Sequence, residues 1–346
     1  MSPAIRGPLA GALRFIFVTA AVLQLLAPGL LGGEVYRWRD ADGVRHFADT
    51  PPDVPADKAF STEGFDSPQP AVNPAANPGH AVAGGVFWRI ESPERPSSYL
   101  LGTIHSADPR VATPRPSVLR AFEDAAIFVM EMELKAESYL RLGASMMFTD
   151  GGDLQRLLGP DDFNRLAAAV AQHGLPEPIL RRMKPWAVLA LLSQPTPQRG
   201  AFMDMDLYQR AVAAGKPVFG LESAEEQLAV FDRMPMNDQL AMLHSALAQV
   251  DQIPAMQARM IETYLSGDLH AIAALADEMA REDASGLNRR FLQRLNDDRN
   301  DRMLSRMVPH IDRGGAFIAV GALHLTGERG LLRQLRGRGY RLSPLN

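Results

Sequence analysis

The sequence predicts a mixed α/β fold: a central sheet whose strand ends carry paired Gly-x-x-His motifs, with a large helical insertion between the strands. Three observations lead there. Two apolar runs end alike, in Tyr99-Leu100-Leu101-Gly102-Thr103-Ile104-His105 and in Ile318-Ala319-Val320-Gly321-Ala322-Leu323-His324. Two more end in carboxylates: Ala126-Ile127-Phe128-Val129-Met130-Glu131, with Glu133 just beyond, and Pro217-Val218-Phe219-Gly220-Leu221-Glu222. The residues between the paired motifs are mostly helical in spacing. In open α/β sheets, ligands bind outside the carboxyl ends of the strands. Four strand ends bearing His, Glu, Glu and His are therefore expected to converge on one site, and that constellation suits a divalent metal.

The elements follow in order. Arg6 and Arg14 precede Phe15 to Leu31, an apolar run interrupted by Gln24 and Pro28. A positive start followed by a short apolar core is the pattern of an export signal, and the run is shorter than the ~20 residues a spanning helix needs. Residues 1–33 are read as a signal peptide cut near Gly32 or Gly33, or as a retained anchor. Either places the bulk of the chain in the periplasm or otherwise outside the cytoplasm, with a membrane tether if the segment is kept. Residues 34–52 read as a β-hairpin: alternating Tyr36, Trp38, Val44 and Phe47 flank the turn Asp42-Gly43, and Pro51-Pro52 stops it. Residues 53–85, rich in Pro, Ala, Gly and Asn, read as a flexible linker.

The main domain, 86–346, opens with the strand Val86 to Ile90 and continues into the first Gly-x-x-His strand. Helical segments are expected from Pro160 to Gln172, from Ile179 to Ser193 with a kink or restart at Pro185, and from Asp206 to Ala214 before the C′ glycine Gly215. More follow at Asn237 to Val250, Ala255 to Leu265, His270 to Arg281 and Leu287 to Met307, then a last helix Gly330 to Arg336 and a last strand Tyr340 to Leu342.

Composition removes several classes of function. A hydrophobic content of 46% supports a substantial core, and a net charge of −4 offers no basic patch for nucleic acid. There is no cysteine, which excludes thiolate metal sites, cysteine nucleophiles and disulfides. A metal would be held by imidazole and carboxylate, ligands suited to Mn, Co, Zn or Fe. Neither a Gly-x-Ser-x-Gly elbow, a phosphate loop, a dinucleotide fingerprint nor a His-Glu-x-x-His motif occurs.

Among the individual residues, Glu131 and Glu133 alternate onto one face of a strand, so one can ligate while the other accepts a proton. Glu222 reads equally as a site residue and as an acid at the start of a helix through Glu225 and Glu226. Asp204 and Asp206 read as helix caps. Arg299 and Asn300, within Asn296-Asp297-Asp298-Arg299-Asn300-Asp301-Arg302, read most economically as a solvated helix face, although an arginine aimed into the site would bind an oxyanion. His46, His80, His173, His244, His270 and His310 lack partner spacing, and the sixteen methionines read as core filler.

These residues together resemble the TraB/GumN family, related to the Tiki metalloproteases and more loosely to erythromycin-esterase-like proteins. The carriers run from Phe87 to Leu345: the two Gly-x-x-His strands, Val129-Met130-Glu131-Met132-Glu133-Leu134, Lys184-Pro185-Trp186 and Met205-Asp206 with Arg210-Ala211. They continue in Gly215 to Glu222 with Glu226-Gln227, Arg299-Asn300, and Gly330-Leu331-Leu332 to Gly339-Tyr340. The resemblance implies His105, Glu131 and His324 as the metal set, a divalent cofactor such as Mn, Co or Zn, and Glu222 and Arg299 as supporting residues. Where the family's Glu-x-Asp pattern has its second acid, this chain has Glu133. Residues 34–52 resemble a short domain of unknown function found in envelope proteins. The resulting expectation is an exported, metal-dependent hydrolase, a peptidase acting on a peptide or small-molecule substrate through Glu133, Glu222 and Arg299. The alternative is an envelope protein of the same fold that captures a peptide or ligand without cleaving it. Convergence requires His105 and His324 on one side of the sheet and within ~12 Å of each other, given ligand bonds of ~2.0–2.2 Å.

Overall fold

The computed structural model describes residues 36–39, 45–48, 61–62, 85–92, 94–132, 136–193, 202–281 and 285–345. Those up to Thr62 form one compact unit and those from Gly85 onward another. The segment Phe15 to Leu31, read from the sequence as an export signal, and Glu133 lie outside the described residues. Among the described residues, no helix is long and apolar enough to cross a membrane.

In the first unit, β1 (Tyr36–Arg39) pairs antiparallel with β2 (Arg45–Ala48), Trp38 opposite His46, as the hairpin pattern predicts. A further short strand, β3 (Ser61–Thr62), pairs antiparallel with β1 on its other side. It falls within the stretch read as linker, where Ser61 and Thr62 carry no alternation that would announce a strand.

The second unit is built on a six-stranded sheet. Its strands are β4 (Phe87–Glu91), β5 (Ser98–Thr103), β6 (Ile127–Met132), β7 (Val218–Glu222), β8 (Ala316–Gly321) and β9 (Arg341–Leu345), in the order β7-β6-β8-β5-β4-β9. β7, β6, β8 and β5 run parallel, while β4 and β9 complete one edge antiparallel. The chain thus inserts β8 between β5 and β6, which sets the two Gly-x-x-His strands side by side with Thr103 opposite Gly321.

The near-continuous apolar runs are explained by cover on both faces. Leu101, Phe128, Met130, Phe317 and Ala319 point to one face, beneath Val118 and Phe122 of helix Pro116–Asp124 and Leu207 and Ala211 of helix Met203–Ala213. Leu100, Val129, Ile318 and Val320 point to the other, beneath Met303, Leu304, Met307 and Ile311 of helix Asp298–Arg313 and Leu331, Leu332 and Leu335 of helix Leu331–Gly337. This is the period-two alternation of a strand, with both phases apolar.

The helical stretch differs from a single insertion, because β7 divides it in two. Lys184-Pro185-Trp186 restarts a helix as expected: Glu177–Arg182 stops, Met183 and Lys184 are extended, and Pro185 opens Pro185–Leu192 at its first position. The segment expected to run from Leu287 to Met307 begins as Leu287–Leu292, widens into a π turn at Gln293–Asp297, and continues as Asp298–Arg313.

Gly102 and Gly321 end the two Gly-x-x-His strands, where a glycine suits either a backbone turn or a close approach. Their role is close approach, since neither has a positive φ. A Cβ on Gly102 would lie 2.9 Å from Ala322 Cα and 3.1 Å from Ala322 Cβ, and one on Gly321 would lie 3.2 Å from Glu131 Oε1. Gly102→Ala is therefore expected to lower stability by ~1–3 kcal/mol, the cost of overpacking a filled interior. Urea denaturation of the two proteins measures it.

Candidate metal centre at the parallel strand ends

The carboxyl ends of β5, β6 and β8 open on one cavity of about 150 Å³, lined by His105, Glu131, Arg299 and His324. His105 leaves β5 on an irregular segment, whereas His324 sits on a 3₁₀ turn, Ala322–Leu325, directly after β8. The twin motifs therefore present their rings from different backbones. Helices Ile253–Leu265 and Leu269–Arg281 cover the cavity with Met260, Tyr264, Ile272 and Leu275. Tyr264 ties this cover to the sheet by donating to the Gly102 carbonyl at 2.8 Å.

His324 is held in one tautomer. The Asn300 amide nitrogen donates to the carbonyls of His324 at 3.3 Å and Arg329 at 3.0 Å, so Asn300 Oδ1 is the atom 2.6 Å from His324 Nδ1. An amide oxygen only accepts, so Nδ1 carries the proton and Nε2 keeps its lone pair. That lone pair faces Glu131 Oε1 at 3.6 Å. Burial pushes the imidazole down to about 4; Glu131 opposes the shift, and Arg299 and His105 reinforce it.

Glu131 accepts from the Gly321 amide at 2.7 Å through Oε1 and from Arg299 Nη2 at 2.5 Å through Oε2. Burial would raise its pKa, but Arg299 foremost, then His324 and His105, hold it well below the usual carboxylate range. Arg299 also donates through Nε to Glu222 Oε2 at 2.8 Å and through Nη1 to the Leu295 carbonyl at 3.1 Å. Burial disfavours its charge, yet Glu131 and Glu222 outweigh that and raise its pKa.

Glu222 is buried behind Arg299, away from the cavity lining. Its second oxygen accepts from Arg302 Nε at 3.1 Å and Nη2 at 2.8 Å, so both oxygens face guanidinium groups. The helix that follows is capped by Ser223 with Glu226, not by Glu222.

Two readings of the sequence are corrected. Arg299 and Asn300 are not on a solvated face: they are 2% and 0% exposed. The signal was the apolar stripe Met303, Leu304, Met307 and Ile311, which reaches back one turn to both residues. Asp204 is not a cap, because Phe202 occupies that position. It lies within the first turn, 4% exposed, accepting from Thr103 Oγ1 at 2.8 Å through Oδ1, with Oδ2 3.5 Å from His105 Nε2. Burial raises its pKa, against the pull of His105 and Thr103. The sequence placed Asp204 on the same helix face as Leu207 and Ala211, three and seven residues on, which marked it as inward. Asp206, by contrast, pairs with Arg210 at 2.7 Å on the outer face.

The donor set fits a divalent ion in chemistry. As the side chains stand, no group of three His, Asp or Glu among the described residues is drawn together tightly enough to hold one. The donors come instead as two imidazole–carboxylate pairs, 3.5 Å and 3.6 Å apart. Two ligand atoms ~2.1 Å from one ion at the tetrahedral angle stand ~3.4 Å apart. Of the three acids around the cavity, Glu131 and Glu222 meet the guanidiniums of Arg299 and Arg302, whereas Asp204 meets His105.

With fold and site described, the family follows. The model of the TraB/PrgY/gumN family matches residues 86–344, and the chain belongs to that family. Residues 22–77 match a domain of unknown function, DUF4124. Among curated proteins, the chain is similar to metalloprotease TIKI1 of Danio rerio, 24% identical over 306 residues covering 73% of this chain and 62% of that protein. It is also similar to metalloprotease TIKI2 of Danio rerio, 27% identical over 308 residues, covering 73% and 60%, and to human metalloprotease TIKI1 at 24% over 308 residues, with the same coverage. The chain thus spans about 60% of the length of these relatives. No solved structure matches it significantly.

Two outcomes test this network. Glu222→Gln removes one partner of a fully buried ion pair and is expected to cost ~3–5 kcal/mol in urea denaturation. His324 supplies a pH signature in the chelator-treated protein: its folded value near 4 lies below the ordinary 6.5, so the unfolded chain binds more protons between these pH values. The stability it confers is complete above pH 6.5 and is lost as pH falls toward 4. Comparing denaturation midpoints of the wild type and His324→Asn across that range should show the acid-side loss shrinking in the variant.

Proposed function

We propose that the chain is an exported, divalent-metal-dependent hydrolase of peptide bonds, with His105, Glu131 and His324 as its metal set. One observation carries the reading: a neutral imidazole locked by Asn300 keeps its Nε2 lone pair aimed at a carboxylate, inside a cavity shared with a second imidazole. Membership of a family whose distant relatives are named metalloproteases supports it.

When bound, a Mn, Co or Zn ion supplies Lewis acidity at a carbonyl and a hydroxide source near neutral pH. The residues of the chain do the rest. Arg299 holds a fixed positive charge at the cavity wall, where negative charge develops on a carbonyl oxygen during hydrolysis. Glu222 orients that guanidinium rather than touching the reacting atoms. Glu133 is assigned the proton-accepting role by its place two residues beyond Glu131. Asn300 sets the tautomer of His324, as carbonyl and carboxylate partners do for ligating histidines generally. Met260, Ile272, Leu275 and Leu295 exclude water and suit an apolar substrate side chain beside the reacting bond.

The test is incubation of the purified chain with Mn, Co or Zn and a peptide library, with products read by mass spectrometry. Cleavage beside apolar residues is expected, lost in His105→Ala combined with His324→Ala together with metal uptake. Asn300→Ala should retain the donors but weaken metal binding ~10–100-fold. Saturable binding of intact peptide would favour capture and overturn the hydrolase.

A further inference from the structure

The carboxylate of Asp204 has a place in the fold that neither catalysis by Arg299 nor helix formation explains. It is 4% exposed, yet its Oδ2 accepts no hydrogen bond from any described residue. A buried acceptor left without a partner destabilises a fold, and more so when charged. The neighbourhood holds it there regardless. Thr103, at the end of β5, fixes Oδ1 at 2.8 Å, which turns Oδ2 toward His105 Nε2 at 3.5 Å. Phe202 packs edge-on against the His105 ring at 5.1 Å between centroids.

Glu131 is the opposite case. Its Oε1 already accepts from the Gly321 amide and its Oε2 from Arg299, so both oxygens are partly satisfied within the protein. Asp204 is the carboxylate of the network that no guanidinium reaches among the contacts of Arg299 and Arg302. An unsatisfied oxygen beside an imidazole nitrogen, at the spacing of two ligand atoms on one ion, lacks only a cation.

We propose that Asp204 is a ligand of the metal through Oδ2, acting with His105, so that the donor set comprises two imidazole–carboxylate pairs and not three residues. The proposal rests on the reading of this cavity as a metal centre. It divides the labour of the two acids: Asp204 gives its free oxygen to the ion, while Glu131 would ligate through Oε1 beside His324 and tie the site to Arg299 through Oε2. An oxygen left bare in the empty site and covered in the loaded one also makes a specific demand on stability, opposite in sign for the two states.

The experiment uses Co²⁺ as probe with the full chain, its Asp204→Asn and Asp204→Ser variants, and three readouts: titration calorimetry, the visible d–d spectrum, and melting in chelator. Asp204→Asn is expected to bind Co²⁺ on the order of 100-fold more weakly, at or beyond the upper end of what loss of an outer partner causes. Its d–d bands should change in position and intensity, and in chelator it should melt at or above the wild-type temperature. Asp204→Ser should show the same loss of affinity. Weakened binding with unchanged bands would make Asp204 a positioning residue and overturn the proposal. Wild-type affinity and spectrum in both variants would overturn it while leaving the metal centre standing. Melting of both variants well below wild type in chelator would assign Asp204 to structure and overturn it. If the wild type itself takes up no Co²⁺, the metal centre falls first and the proposal with it.

Discussion

The guanidinium of Arg299, sunk between Glu131 and Glu222, is the interaction on which the rest of the site depends. Taking such a charge out of water costs several kcal/mol, recovered only when its partners are well placed. Here the partners stand at the ends of adjacent parallel strands, β6 and β7, and the arginine comes from the helix that covers them. One side chain therefore fixes the register of strand ends against helix. It also holds one oxygen of Glu131 and adds its charge to the burial that disfavours protonation of His324.

The π turn at Gln293–Asp297 is what makes that placement possible. An extra residue in a helical turn rotates everything after it, and such turns recur at functional sites. Leu295 and Asn296 face the cavity from within the turn, while Arg299 and Asn300 follow immediately after it. Adjacent residues on a helix diverge in direction, and these two serve different partners: Arg299 reaches the carboxylates of β6 and β7, and Asn300 reaches the turn after β8.

The strands and their chemistry were legible in the sequence because buried parallel strands write unbroken apolar runs, and the residue after each run marks the ligand edge. Glu131, Glu222 and both histidines stand out for that reason. Arg299 was obscured by its neighbours Asp297, Asp298, Asp301 and Arg302, whose charge density resembles a wet surface. No local pattern announces a π turn, so the face presented by these residues had to be seen. Asp204 was obscured differently: an acid at a helix start has a common local explanation, and only its alignment with Leu207 and Ala211 argued inward. In each case a short-range rule was overridden by a partner far along the chain, 77 residues away for Glu222 with Arg299 and 101 for Thr103 with Asp204.

The position of β8 has a consequence for how the molecule comes into being. It is the last of the parallel strands to be synthesised, yet it lies between the first two, β5 and β6. Until it arrives, β5 and β6 have no shared ladder, and the amide that binds Glu131 is absent because it belongs to Gly321. Pairing of this kind is slow, since a long loop must close before any contact rewards it. Half-made chains therefore carry Glu131, Asp204, Glu222 and the first imidazole without an assembled cavity, whose walls wait on Gly321 and His324 at the end of the strand that closes the middle of the sheet.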